Sequence, residues 1–246
     1  MEEDMASANT IVIKIGTSSL MSDSGTALDM QVLSSLAEDI AQLHMQGKKV
    51  AIVTSGAVGL GMVSGNAKVE GRDVQVAARI GQPKLMHAYI GLFERHGLQV
   101  GQLLLTQREF ATASLVQEKV VRPIRDDFSA GIIPIINEND AITDKETTLG
   151  DNDSLSAEIA CAIGADVLIM LSVKNGNMAG RGGREAKEKA IGRAGDAGVQ
   201  VLLVDGKESH CVSKAFGGDA SGRRNADDLK NSARKESGTI GRRITA

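Results

Sequence analysis

Apolar and polar residues follow one another along the chain in blocks that predict strands separated by helices. Runs rich in Val, Ile and Leu that end at glycine or at polar residues are typical of buried strands, and they occupy 10–15, 49–54, 98–106, 131–136, 166–172 and 199–204. Between these runs, apolar residues recur every three to four positions, which predicts helices over 28–45, 76–96, 112–129, 154–163 and 184–197. We expect Pro83 to kink the second of these helices or to break it near Gly81.

Strands that are joined through helices pair in parallel and need helices on both faces of the sheet. The predicted fold class is therefore α/β, a three-layer αβα sandwich with a mainly parallel central sheet. Aromatic residues are only 2% of the 246 residues, so the core must be built from aliphatic side chains. Residues 8–216 carry these patterns and form the predicted domain. Residues 217–246 are polar and poor in large apolar side chains, a composition that favours a disordered tail.

The charge balance and the cysteines narrow the class of protein. A formal net charge of −3 argues against a nucleic-acid-binding protein, which is usually basic. Cys161, Cys211 and the four histidines show no spacing typical of a metal site, and reduced thiols are expected. The first nine residues are polar and acidic, and no apolar run is long enough to span a bilayer. We therefore expect a cytoplasmic protein without a signal peptide.

Three segments that follow predicted strands are candidates for a ligand site, because ligands bind at the carboxyl edge of a parallel sheet. The first is "IKIGTSSL", Ile13 to Leu20. Backbone N–H groups at Gly16 and Thr17 would face a phosphate there, with Lys14 supplying positive charge. An ordinary strand-to-loop turn is the alternative. The segment is not a Walker A loop, because GxxxxGK[ST] occurs nowhere in the chain.

The second segment is "VTSGAVGLG", Val53 to Gly61, a buried strand that opens into a glycine-rich helix start. Unpaired N–H groups at such a start favour an anion, and Ser55 adds a hydroxyl donor beside Gly56. The alternative is a tight packing turn in which glycine is needed only for steric reasons.

The third segment, 135–157, holds six carboxylates in a short stretch of chain. The pairs Asn139-Asp140 and Asn152-Asp153 each combine an amide with an acceptor-only carboxylate. Together they suit a zwitterionic ligand that carries an ammonium group beside a carboxylate. A Mg²⁺ site of oxygen ligands and a solvated acidic loop are the alternatives.

In order and spacing, these segments resemble the amino-acid kinase family, and in particular its members that phosphorylate glutamate. The resemblance covers residues 10–171 and includes "IKIGTSSL", "VTSGAVGLG", "VGQLLLT", "IIPIINENDAI" and "GDNDSLSA". "INEND" followed by "GDND" separates the chain from members that act on aspartate, acetylglutamate, carbamate or uridylate. The resemblance implies transfer of the γ-phosphoryl group of ATP, with Mg²⁺, to the side-chain carboxylate of L-glutamate, the first step of proline biosynthesis.

The resemblance also implies a role for each matching residue. The implied catalytic residues are Lys14, Asp153 and Lys187. Lys14 would stabilise the transferring phosphoryl group, and Asp153 would organise Lys14. The implied glutamate-binding residues are Ser55, Gly56, Asp140 and Asn152, with Asp140 as the partner of the ammonium group. The implied nucleotide-binding residues are Lys14, Gly16, Ser172, Arg181, Gly182, Gly183 and Lys187. No side chain is assigned to a protein-held metal.

The nucleotide side departs from the family pattern. Family members carry a Thr-Asp pair where this chain has Ser172-Val173, and a long segment where only "KNGNMA" precedes "GRGGREAK". Arg181 and Arg184 stand where the family has threonine and methionine, and arginine also binds phosphate. The alternative function is therefore a catalytically weak or silent relative that binds glutamate or proline.

Further expectations concern partners and come from the same resemblance. Relatives are commonly dimers or tetramers, so we expect a homo-oligomer, and we expect feedback inhibition by proline. The charge balance and the short apolar runs described above make neither nucleic acid nor a membrane an expected partner. The RNA-binding-like PUA module at the C-terminus of many relatives is not expected in this sequence.

Overall fold

The computed structural model describes residues 7–63, 74–143, 151–173, 183–216 and 224–225. Within them one sheet has the strand order β3-β4-β2-β1-β5-β6-β7. Its strands are β1 Thr10–Ile15, β2 Lys49–Thr54, β3 Gln99–Leu105, β4 Ile132–Glu138, β5 Val167–Ser172, β6 Gln200–Asp205 and β7 Arg224–Asn225. Strands β1 to β6 are parallel to one another, and β7 pairs antiparallel with β6. The predicted α/β fold with a mainly parallel sheet is confirmed.

Helices cover both faces of this sheet. In chain order they are α1 Thr17–Leu20, α2 Met30–Met45, α3 Ala57–Met62, α4 Val74–Glu94, α5 Ala113–Leu115, α6 Arg122–Ser129, α7 Asn152–Ile163, α8 Gly183–Asp196 and α9 Cys211–Phe216. A 3₁₀ turn, Gln107–Phe110, precedes α5, and a π-helical stretch, Val116–Val121, joins α5 to α6. The single helix predicted over 112–129 is thus a helical path with one wider segment. In the described part of the chain no helix has the length and apolar character to cross a membrane.

Two hydrophobic clusters lie on opposite faces of the sheet. Side chains alternate between faces along a strand, so Ile11, Ile13 and Ile15 of β1 pack in one cluster, together with residues of α2 and α4. Val12 packs in the other cluster, together with residues of α6, α7 and α8. All four side chains are fully buried. Apolar residues on both faces are what a sheet between two helical layers requires, and the predicted three-layer arrangement is observed.

Helix α4 continues through Pro83, so the predicted break near Gly81 is wrong. Proline removes one backbone donor and leaves the carbonyl group of Arg79, four residues earlier, without its usual helical partner. Buried residues of α4 lie on both sides of the proline, Ala77 before it and Leu85 and Tyr89 after it. This packing holds the helix together where the backbone hydrogen bond is lost.

Helices α3 and α4 approach each other so closely that two glycines are required. A Cβ atom at Gly81 of α4 would lie 1.8 Å from the carbonyl oxygen of Ala57 in α3. A Cβ atom at Gly61 of α3 would lie 1.8 Å from the carbonyl oxygen of Ala77 in α4. Because backbone meets backbone here, α4 fixes the position of α3 and of the turn between β2 and α3.

The chain after β6 is anchored by a carboxylate on another helix. Asp39 of α2 is fully buried and accepts hydrogen bonds from the backbone N–H groups of Val212 and Ser213 at 3.0 and 3.1 Å. It also accepts one from the Ser213 hydroxyl at 2.7 Å and lies 3.0 Å from Nδ1 of His210. The first N–H groups of a helix have no partner within it, so Asp39 supplies an acceptor for the start of α9. The sequence pattern predicted neither α9 nor α1.

Candidate functional site

The carboxyl ends of β1, β2 and β4 meet the start of α7 at one edge of the sheet. Lys14 lies near the end of β1, and Ser55 follows directly after β2. Asn152, the first residue of α7, is hydrogen-bonded to Ser55, and Asp153 forms an ion pair with Lys14. The predicted convergence of these four side chains is therefore observed, while their roles stay predictions.

The start of α7 is determined by the local sequence Asp151-Asn152-Asp153. The Asp151 side chain caps the helix by accepting a hydrogen bond from the backbone N–H of Ser154 at 2.7 Å. Asp153 lies in the first helical turn, where the helix dipole favours negative charge. Three successive residues thus provide a cap, an amide and a carboxylate at the sheet edge.

The Lys14–Asp153 ion pair is the buried charge pair of the site. Nζ of Lys14 lies 2.6 Å from Oδ1 of Asp153, and the two side chains are 9% and 11% exposed. Removing two charges from water is costly unless they meet in close geometry, and removing one partner leaves the other uncompensated. The pair therefore holds the lysine ammonium group at a fixed place beside the glycine turn that follows β1.

Four polar side chains form a hydrogen-bonded series, which we call the amide chain: Gln82, Asn137, Asn152 and Ser55. Nδ2 of Asn137 donates to Oε1 of Gln82 at 2.9 Å. Nδ2 of Asn152 donates to Oδ1 of Asn137 at 3.1 Å and to Oγ of Ser55 at 2.9 Å. The amide chain connects α4, β4, α7 and the end of β2, and so fixes the two predicted glutamate-binding residues Ser55 and Asn152.

Sequence reasoning missed two members of the amide chain. The predicted strand ended at Ile136, whereas β4 extends to Glu138 and includes Asn137, whose exposed fraction is 1%. An asparagine directly after an apolar run was the available signal, because a buried amide must find partners. Gln82 carried no such signal, since it lies in a helix 55 positions away from its partner.

A buried hydroxyl pair supports the backbone beneath Ser55. Oγ1 of Thr54 and the phenol oxygen of Tyr89 lie 2.8 Å apart, and Thr54 also donates to the carbonyl oxygen of Ser55 at 3.2 Å. Burial raises the pKa of the Tyr89 phenol far above its ordinary value, so Tyr89 stays protonated. Helix α4 therefore holds the end of β2 through Tyr89 as well as through its glycine contact with α3.

Asp140 lies in the turn that follows β4. The backbone N–H groups of Ile142 and Thr143 donate to the carbonyl oxygen of Asn139 at 3.1 Å. Nε2 of Gln75 in α4 donates to the carbonyl oxygen of Thr143 at 3.0 Å. The turn is thus tied to the same helix as the amide chain. The other acidic positions of the loop, at 144 and 146, lie outside the described residues.

Glycines at two turns bring the backbone close to the site. Gly56 has φ of 97°, a left-handed conformation that favours glycine, and a Cβ atom there would lie 2.5 Å from Cδ2 of Leu20. A Cβ atom at Gly16 would lie 3.1 Å from Nζ of Lys14. The space beside the Lys14 ammonium group therefore depends on the absence of a side chain at Gly16.

Lys187 of α8 is a second lysine near the ion pair. Burial lowers its pKa, as does the charge of Lys14, while Asp153 and Asp151 act in the opposite direction. These influences place Lys187 within electrostatic reach of both Lys14 and Asp153. The implied catalytic residues Lys14, Asp153 and Lys187 therefore lie near one another, while their roles stay predictions.

The remaining nucleotide-side positions are only partly described. Ser172 ends β5 beside Asp205 of β6, and its carbonyl oxygen accepts a hydrogen bond from the N–H of Gly206 at 3.1 Å. Gly183 is the first residue of α8. Arg181 and Gly182 lie outside the described residues.

Two kinds of chemistry find little support in the described part of the chain. No group of three His, Cys, Asp or Glu side chains is placed there to hold a metal ion. Burial raises the pKa of both thiols, that of Cys211 to about 12, so neither cysteine is an activated nucleophile. The site offers the Lys14 ammonium group, the Asp153 carboxylate, amide side chains and the backbone of two glycine turns.

Comparison with known proteins agrees with the motifs and the fold. The model of the "Amino acid kinase family" matches residues 9–201. A glutamate 5-kinase from Symbiobacterium thermophilum is 40% identical over 187 residues, which cover 72% of this chain and 68% of the relative. A glutamate 5-kinase from Clostridium acetobutylicum is 42% identical over 178 residues, which cover 70% of this chain and 64% of the relative. The chain thus spans about two thirds of the length of these relatives.

Solved structures share the fold at low sequence identity. The UMP kinase from Ureaplasma parvum has a TM-score of 0.61 and 13% identity, and the match covers 89% of this chain and 98% of that one. The isopentenyl phosphate kinase from T. acidophilum has a TM-score of 0.63 and 15% identity, and the match covers 87% and 98%. Both comparisons support the architecture alone.

Proposed function

The chain belongs to the amino acid kinase family, and from this premise we propose that it is a glutamate 5-kinase. The proposed reaction transfers the γ-phosphoryl group of ATP to the side-chain carboxylate of L-glutamate, forming γ-glutamyl phosphate for proline synthesis. The observation that carries the proposal is the buried Lys14–Asp153 ion pair, which lies beside the hydrogen bond between Ser55 and Asn152. A fixed cation next to a polar amino-acid site is what a carboxylate kinase needs.

Phosphoryl transfer requires charge stabilisation and positioning rather than a protein nucleophile. In the proposed mechanism Lys14 neutralises charge on the oxygens of the moving phosphoryl group, and Asp153 keeps the Lys14 ammonium group in place. Lys187 supplies a second positive charge from α8. Because both lysines are largely removed from water, their attraction for phosphate oxygens is stronger than it would be on an exposed surface.

Glutamate is the proposed acceptor because the site offers complementary groups for a zwitterion. Ser55 and Asn152 would bind its polar α-substituents, and Asp140 would face its ammonium group. Backbone N–H groups around Gly56 would face a carboxylate. The substrate side chain would then extend from the amide chain toward Lys14, where its γ-carboxylate attacks.

The proposed nucleotide site lies on the β5 and α8 side. Gly16, Ser172, Arg181, Gly182 and Gly183 would contact ATP together with the two lysines. The described residues do not form a cage for a metal ion, and Mg²⁺ usually binds proteins through one or two carboxylates plus substrate phosphates. Mg²⁺ would therefore arrive with the nucleotide, and the roles proposed for the protein residues do not depend on a dedicated metal site.

Val173 favours a second candidate function. The residue after Ser172 carries no carboxylate, although relatives have an aspartate there by the resemblance described above. A chain that binds glutamate or proline without turnover would tolerate this change. We also propose, from the family resemblance described above, that proline acts as a feedback inhibitor on a cytoplasmic homo-oligomer.

The decisive experiment measures glutamate-dependent release of ADP with Mg²⁺ in the wild type and in Lys14→Ala. We expect the substitution to lower kcat by about 10²–10³-fold, the typical effect of removing one stabilising group from a transition state. Lys49→Ala is the matched control, because Lys49 is exposed and lies at the opposite end of the neighbouring strand. Thermal stabilisation by glutamate without any turnover would favour the silent relative instead.

A further inference from the structure

We infer that Gln82 is a positioning residue that sets the direction of hydrogen bonding in the amide chain, and through it the way Ser55 and Asn152 meet an amino acid. The inference rests on the proposed function, since it names glutamate as the ligand. Among the described residues, Gln82 forms no hydrogen bond with Ser55 or Asn152. It contacts Asn137, and Asn137 contacts Asn152.

In the observed arrangement the hydrogen bonds run outward from Asn152, which donates to Ser55 on one side and toward Gln82, through Asn137, on the other. The Nδ2 group of Asn152 donates both to Ser55 and to Asn137, and the Nδ2 group of Asn137 donates to Oε1 of Gln82. Each amide has one donor end and one acceptor end. The orientation of one member therefore dictates the orientation of the next.

The same four side chains can also bond in the reverse direction. If all three amides turned over, Gln82 would donate to Asn137, and Asn137 would donate to Asn152. Ser55 would then give its hydroxyl hydrogen to Asn152. Both directions satisfy the hydrogen bonds within the amide chain. The two directions differ in which donor and acceptor groups of Ser55 and Asn152 remain for a ligand.

The two directions present opposite groups to a ligand. In the observed direction Oγ of Ser55 accepts from Asn152, so the Ser55 hydrogen is free to donate to a carboxylate. Oδ1 of Asn152 is buried and has no hydrogen-bond partner among the described residues, so it is an acceptor that the ammonium group of a ligand would satisfy. In the reverse direction Asn152 would present N–H groups, which an ammonium group cannot satisfy.

Gln82 is well placed to select the observed direction. It directly follows Gly81, whose backbone contact with Ala57 ties this part of α4 to the helix that begins after Ser55. Its Oε1 is the acceptor for Asn137, and its Nε2 is buried without a hydrogen-bond partner among the described residues. Without that acceptor, no hydrogen bond holds Nδ2 of Asn137 toward α4, and the Asn137 amide can turn over.

The test compares Gln82→Leu with Gln82→Glu and measures the binding of L-glutamate and of glutarate, which lacks the amino group. Leucine removes the acceptor at similar size, whereas an ionised carboxylate is acceptor-only and still receives Nδ2 of Asn137. We expect Gln82→Leu to weaken L-glutamate binding by about 10- to 100-fold, the usual range when a buried hydrogen bond to a charged group is lost. Binding of glutarate should change by less than about threefold, so the preference for L-glutamate collapses.

Gln82→Glu should retain a preference for L-glutamate within about fivefold of the wild type. Gln31→Leu, the same exchange at an exposed position of α2, is the control and should change neither ligand. The KM for ATP should stay near the wild-type value in every variant, whereas the melting temperature of Gln82→Leu should fall because Asn137 keeps a buried N–H group without an acceptor. A purely structural role of Gln82 would also move the KM for ATP and the binding of glutarate.

Each outcome decides the question. Equal loss of both ligands in Gln82→Leu, or equal loss in the leucine and glutamate variants, would overturn the positioning role. Unchanged discrimination in Gln82→Leu would also overturn it while leaving the proposed function intact. Failure of the wild-type chain to bind L-glutamate would instead overturn the proposed function, together with the ligand named here.

Discussion

The substrate side and the nucleotide side of the candidate site are held in different ways. On the substrate side Ser55, Asn137 and Asn152 are joined by side-chain hydrogen bonds of 2.9 to 3.1 Å. On the nucleotide side Lys187 makes no ion pair within 4.0 Å with a carboxylate of the described residues. Burial is the main cause that lowers its pKa. Directional bonds define the first region, and desolvated charge defines the second.

This difference indicates that binding of the acceptor and turnover are separable properties of the chain. Hydrogen-bond geometry discriminates between ligands, because an unmatched buried polar group is costly. A desolvated cation discriminates less by shape but strongly stabilises developing negative charge. Substitutions on the substrate side should therefore change affinity and selectivity, and substitutions on the nucleotide side should change rate.

Lys187→Met should have the largest effect, and it tests directly whether the two sides of the site are separable. We expect kcat to fall by about 10²–10³-fold, because a cation that faces the transferring phosphoryl group is lost. The Kd for L-glutamate, measured by calorimetry, should stay within about twofold. Lys189→Met, an exposed lysine on the same helix, serves as control. Loss of glutamate affinity in Lys187→Met would show that the two sides are not separable.

Asp140→Asn tests the substrate side by the opposite pattern. Neutralising the predicted partner of the ammonium group should weaken L-glutamate binding by about 10- to 100-fold, in line with loss of a charged hydrogen bond. The KM for ATP should hardly change. Asp126→Asn on α6, where the Asp126 side chain is 73% exposed, is the matched control. Unchanged affinity of Asp140→Asn for L-glutamate would show that Asp140 does not bind the ammonium group.

Gly81→Ala tests whether the close contact between α3 and α4 is needed to hold the glutamate-binding residues in place. The new methyl group would overlap the carbonyl group of Ala57, so the helices must separate, at a cost of about 1–3 kcal/mol in the free energy of unfolding. Glutamate binding should weaken because Ser55 and Gln82 move apart.

Gly91→Ala provides a control on the same helix. A Cβ atom at Gly91 meets no other atom within 4 Å, so alanine should stabilise the helix by up to about 1 kcal/mol. Urea unfolding of both variants measures the difference. Equal free energies of unfolding for the two variants would mean that the close approach of α3 and α4 does not contribute to stability.

The same contrast explains what the sequence could predict. Lys14 at the end of β1 was predictable because an aliphatic run that stops at glycine indicates a buried strand and a turn. The helix that carries Asp153 was predictable from its periodicity, although it begins at Asn152 and is capped by Asp151 rather than beginning at Ser154, and the pairing of Asp153 with Lys14 was implied only by the family resemblance. Both features depend on a few neighbouring residues.

Asn137 and Gln82 depend instead on tertiary structure. Asn137 is placed by the register of β4, in which it pairs with Leu104 of β3, and periodicity alone did not extend the strand that far. Gln82 reaches Asn137 only because two glycines let α4 lie directly on α3. Asp39 at the start of α9 is a third example, since a capping carboxylate more than 170 positions away leaves no local trace.

The smallest expected effect concerns pH and sharpens the description of the nucleotide side. Burial lowers the pKa of Lys187 from the ordinary lysine value, so its positive charge is lost at a lower pH than that of an exposed lysine. If the protonated form stabilises the phosphoryl group, kcat/KM must be full below this pKa and must decline as the pH rises through it. The alkaline limb of the pH profile should therefore begin below the usual lysine range near 10.4.

Lys187→Arg separates this charge from the other groups that titrate at high pH. Arginine keeps its proton throughout the accessible range, so the alkaline limb should move upward even though the altered geometry lowers the activity at neutral pH. Lys189→Arg should leave the limb in place, because Lys189 is exposed on the same helix. A limb that stays unchanged in Lys187→Arg would assign it to another group, and Lys187 would then be a binding lysine whose protonation does not limit the rate.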